Sequence, residues 1–184
     1  MKRRAFLILL TLAALAAGAS AERAVAQDDD GGRSSAVARG RLEDVRGRRL
    51  VALLVSRALL VDVREPAATA FEDYRRTLSG APPRPHPAAA RRIADKLNRY
   101  IRKYHGMAAA ESYDEADLVL VFKVTRQRRS PIPGDPFIWG KMYVLAVGAG
   151  HAPRLVWESE GDETSPEDAT GDFLKALKAA RGEK

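Results

Sequence analysis

The residues with the strongest potential for chemistry lie in "RQRRSPIPGDPFIWGKM", residues 126–142. Arg126, Arg128 and Arg129 precede three prolines, and Phe137, Trp139 and Lys141 follow them. Arginine and large aromatics supply most interface hot spots, and prolines stiffen the segment that displays them. These six residues are therefore the candidate binding surface, for a protein or an anionic partner. The competing use is packing of Phe137 and Trp139 over a sheet edge, with the arginines left in water.

A second candidate is a basic stripe. Arg92, Lys96, Arg99 and Lys103 fall at i, i+4, i+7 and i+11 within "AAARRIADKLNRYIRKYHG", residues 88–106. That spacing predicts one helix face, suited to an anionic polymer or surface. A different face carries Ile93, Leu97, Ile101 and Tyr104.

Catalytic constellations are missing from the sequence. There is no cysteine, so neither a thiol nucleophile nor a thiolate metal site can form. His86, His105 and His151 are too far apart for zinc-type pairing, and no cofactor or metal site is expected. Gly148-Ala149-Gly150 reads as a turn, and no nucleophile elbow or phosphate loop is present. The carboxylate pairs Glu115/Asp117 and Glu160/Asp162 read as surface groups, with Asp117 placed to end the loop before a strand. A non-enzymatic chain is the expectation, with an enzyme of unrecognised site as the remaining alternative.

Several elements must position these residues. Lys2, Arg3 and Arg4 precede the apolar run "AFLILLTLAALAAG", residues 5–18, and Ala19-Ser20-Ala21 and Ala24-Val25-Ala26 follow as small-x-small sites. This reads as a signal peptide over 1–21, with an alternative cut after 26, and predicts export to the periplasm or beyond. The run is shorter than the about 20 residues of a membrane span. Residues 22–40 read as a disordered linker, and 41–182 as one globular domain. The whole chain carries a net charge of +7. From Glu22 onward it has 28 basic and 24 acidic residues, with an excess of +10 over 33–104 and −3 over 105–184.

Within the domain, 50–55 and 58–63 are expected strands, 68–78 a short helix and "SGAPPRPHP", 79–87, a loop. Valine-rich 118–124 is an expected buried strand, followed by strands near 140–147 and 153–162. Ser165 and Pro166 begin a last helix, with Ala169, Phe173, Leu177 and Ala180 inward and Gly182 closing it. A helix between the first strand and the valine strand predicts a parallel crossover, and the later strands an antiparallel meander. The fold class is α/β, an α+β sandwich. It has one mixed sheet of about four to five strands and two main helices packed mainly on one face.

"EADLVLVFKV", residues 115–124, and "PRLVWES", residues 153–159, carry a resemblance. Together with the leader and the closing helix, this pattern over residues 48–181 resembles small secreted bacterial α/β domains of unknown function. More remotely, it is similar to the N-terminal domain of the Tol–Pal translocation protein. The resemblance implies fold and compartment, and no site residues. The expected role is an exported domain that binds another envelope protein or itself.

Overall fold

The computed structural model describes residues 37–57, 66–104, 106–130, 134–148, 152–161 and 163–183. The expected strand 58–63, the expected leader over 1–21, His105 and His151 lie outside the described residues.

β1 (Leu50–Arg57) has two buried sides, so its near-continuous apolar composition suits an inner strand. The next helix, α1 (Pro66–Leu78), places Ala67, Ala70, Phe71 and Tyr74 on one buried line. In α2 (Pro87–Tyr104) the buried line is Ala89, Ile93, Leu97 and Tyr100. Ile101 and Tyr104, expected on that line, are only partly buried against the same core. A two-residue strand, β2 (Ala108–Ala109), precedes β3 (Leu118–Arg128), β4 (Phe137–Ala146) and β5 (Arg154–Glu158). α3 (Pro166–Arg181) ends the domain. The Ser165 hydroxyl accepts from the Asp168 N–H at its start, and Gly182 adopts φ 68° at its end.

The strands form one mixed sheet in the order β2-β1-β3-β4-β5. β1 runs parallel to β2 and β3, whereas β3, β4 and β5 are antiparallel. A parallel β1–β3 pair needs a crossover, and α1 and α2 supply it. α2 and α3 cover one face, on Val51, Leu118, Leu120, Phe122, Met142 and Val144. α1 covers part of the opposite face, on Ala52, Leu54, Val119, Val121, Tyr143 and Leu145. No helix among the described residues is long and apolar enough to cross a membrane.

Two features lie beyond the sequence reading. Residues 38–40, assigned there to the linker, run along β5. Leu155 N–H donates to Ala38 O and Gly40 N–H to Leu155 O, both at 2.8 Å. The ordered fold thus starts before residue 41. Asp117 does more than end a loop: its carboxylate accepts from the N–H groups of Arg49 and Leu50, each at 2.9 Å, and pairs with Arg48 at 3.2 Å. Burial alone would raise this carboxyl, but the three donors together hold it below the ordinary carboxylate value.

Candidate functional site

Beyond Val124 and Gly140, β3 and β4 continue as a ribbon past the level of Arg57, the last described residue of β1. Both strands are longer than the sequence pattern predicts, so Arg126, Arg128, Phe137 and Trp139 sit on strands rather than in a loop.

A bulge decides which way they point. Val124 pairs with Gly140, but Arg126 pairs with Trp139, so Thr125 is an extra residue on β3. Simple alternation would put Arg126 and Arg128 on the side of Val124, toward α2. The extra residue reverses this and sets them beside Trp139 and Phe137, on the α1 side. The backbone at Gly140 is also crowded: a Cβ there would meet Lys123 O at 2.1 Å. A strand crossing this close admits only glycine.

The two faces of the ribbon differ. On the α2 side Ile138 is 2% exposed. Gln127 Oε1 accepts from Arg57 Nη2 at 2.8 Å and lies 3.1 Å from His86 Nε2. His86, read as a loop residue, is buried, and its Nδ1 accepts from the Ala89 N–H at 3.4 Å at the start of α2. That acceptor role leaves Nε2 to donate to Gln127. Arg92 Nη2 donates to Pro136 O at 2.8 Å, and Arg91 holds both oxygens of Asp135 at 2.8 and 2.9 Å. This face is bolted to the N-terminal end of α2.

The other face is open. Phe137 is 48% exposed. Its ring stacks on the half-buried Trp139, with centroids 6.0 Å apart and planes 24° apart. Arg126 Cζ lies 5.3 Å from the centre of the Trp139 ring, and Arg126 also reaches Glu163 at 3.3 Å. Arg128, opposite Phe137 in register, is exposed, as is Arg129. Lys141 is half-buried and reaches Glu158 at 3.5 Å. The structure thus brings Arg126, Arg128, Phe137 and Trp139 onto one surface and leaves Lys141 closer to the sheet.

The basic stripe does not form one free face. Arg92 lies 3.4 Å from Glu167, and Lys96 donates to Glu167 O at 2.8 Å while packing onto Gly171 of α3. Arg99 and Lys103 are exposed. Among the described residues no group of three histidines and carboxylates could hold a metal ion.

The fold places the chain in the class of α/β domains with a single mixed sheet. No family model matches the chain, and no curated protein does. Among solved structures it is similar to a dodecamer of a PelC point variant from Paraburkholderia phytofirmans. That match is 16% identical, has a TM-score of 0.35, and covers 76% of this chain and 92% of the other.

Proposed function

We propose that the protein is an exported, non-enzymatic binding domain that docks an acidic protein partner through the open face of the β3–β4 ribbon. The observation that carries this reading is the asymmetry of the ribbon. One face is anchored by Ile138, Gln127 and Arg92, while the other holds Arg126, Arg128, Phe137 and Trp139 toward solvent. A held backbone lowers the ordering cost of binding. An exposed aromatic beside arginines supplies an anchor and a charge preference. The leader-like residues 1–21 support export. The α2 stripe is weaker ground for an anionic polymer, because Arg92 and Lys96 are held against Glu167.

The test compares the full chain with its Arg128→Ala/Arg129→Ala/Phe137→Ala variant as baits in envelope extract, at low and high salt. The expected result is an acidic protein held by the unaltered bait, weakened by salt and lost from the variant, with both baits melting at the same temperature. Equal capture by both baits overturns the reading. Recovery of a glycan or nucleic acid in place of a protein replaces the partner class. Export is checked separately by N-terminal sequencing of protein from the producing cell, with Glu22 or Gln27 expected as the first residue.

A further inference from the structure

At the end of α2, remote from the ribbon, two tyrosines one helical turn apart meet a lysine of α3. The rings of Tyr100 and Tyr104 lie 4.9 Å apart. Their hydroxyls face opposite chemistry. Tyr100 is buried and donates to Glu183 Oε2 at 2.6 Å, so its proton is held by a carboxylate. Tyr104 is half-buried, and its oxygen accepts from Lys178 Nζ at 2.6 Å. The same ammonium lies 4.1 Å from the Tyr104 ring centre, and Lys103 Nζ lies 5.2 Å from it. Among the described residues those are the charged groups facing Tyr104: Lys103 from its own helix and Lys178 from α3. Arg181 and Glu183 join the cluster through Tyr100.

A phenol that donates to a carboxylate resists ionisation. A phenol that accepts from ammonium groups ionises more readily. Burial and the Glu183 bond push Tyr100 up to about 12, whereas the hydrogen bonds from Lys178 and then Lys103 lower Tyr104. The chain has five tyrosines. Tyr74, Tyr100 and Tyr143 are buried, and Tyr113 donates to Leu53 O at 2.9 Å. That leaves Tyr104 as the one phenol combining access with cationic support.

We infer that Tyr104 is a nucleophilic phenol and a site of covalent modification by acyl- or sulfonyl-type electrophiles. The phenol oxygen forms a bond to the acyl carbon or sulfonyl sulfur, and the bond from that atom to its leaving group breaks. The leaving group departs with the electron pair, and the phenol proton passes to water. Lys178 and Lys103 stabilise the developing phenolate and are positioning residues.

The experiment treats the folded full chain with an aryl sulfonyl fluoride and follows each tyrosine by peptide mass spectrometry. Tyr104 is expected to be modified several-fold faster than any other tyrosine, in step with its larger phenolate population. Lys103→Met/Lys178→Met should slow modification of Tyr104 several-fold, and Lys178→Arg, which keeps a cationic donor, should preserve most of the native rate. Urea-unfolded chain should lose the selectivity. Even labelling across the tyrosines of the folded chain overturns the inference. So does an unchanged rate in the double variant, or modification of Lys178 in preference to Tyr104.

Discussion

Replacing Lys123 with Met tests the polar contact between α1 and the sheet. Lys123 and Asp73 form an ion pair in which each side chain is 8% exposed. The same Asp73 oxygen accepts from the Ser56 hydroxyl at 2.6 Å. All three groups sit on the α1 face, among Leu54, Phe71, Val121 and Tyr143. Removing the ammonium leaves a buried carboxylate with one neutral donor. Breaking such a pair from one side costs about 3–5 kcal/mol. For a domain of this size that is a fall of roughly 6–20 °C in Tm, at about 2–4 °C per kcal/mol. Asp73→Asn should cost a comparable amount, since it strands the ammonium instead. The informative companion is Ser56→Ala/Asp73→Leu/Lys123→Met, which removes every charge and hydroxyl together. Replacing a whole buried pair with apolar groups is about neutral or stabilising by about 1–4 kcal/mol. Urea denaturation followed by tryptophan fluorescence measures all three proteins. A loss below about 0.5 kcal/mol in Lys123→Met would refute the reasoning, because surface-like changes behave that way. A triple variant as unstable as the single would also refute it.

The ribbon makes two adjacent residues differ sharply. Ile138→Ala should cost about 2–5 kcal/mol in chemical denaturation, whereas Phe137→Ala should stay within about 0.5 kcal/mol. Gly140→Ala should destabilise by at least about 1–3 kcal/mol, because its Cβ would meet the Lys123 carbonyl; the same urea titration checks this. Asp117 gives a pH signature. Its folded pKa lies below the unfolded value, so its contribution is complete above the unfolded pKa and fades as pH falls through the folded one. Comparing unfolding of the native chain and Asp117→Asn from about pH 7 to about pH 2 should show the gap between them closing at the acid end.

Elements with a strong period were legible in the sequence. Ile93 and Leu97 recur at helical spacing in α2, and the valine run of β3 reads as buried because it is apolar on both sides. The parallel crossover followed from element order, and its geometry agrees. What the sequence did not reveal depends on contacts between distant segments. Lys123 interrupts an apolar run, yet its partner Asp73 is on a helix fifty residues earlier. β2 is two exposed alanines with no pattern of its own, in register with Leu50 and Val51 and bonded through Ala108 N–H to Arg49 O. The stripe residues Arg92 and Lys96 share a helix face with Arg99, but the approach of Glu167 and Gly171 decides that they are occupied. The direction of Arg126 and Arg128 rests on one extra residue at Thr125. Alternation counted along a single strand misassigns every side chain beyond such a point.

The pairing of residues 38–40 with β5 has a consequence for how the chain is completed. An edge strand offers unpaired backbone groups to any neighbour, and here one side of β5 is occupied by a segment from the opposite end of the domain. Early in synthesis that segment has nothing to bind. Once β4 is made but β5 is not, the growing sheet ends in an open row of donors and acceptors. The seal joins segments far apart in sequence, and contacts of that kind close more slowly than local ones. A shortened chain beginning at residue 41 would lack the seal permanently, and its β5 would be the place where two molecules stick together.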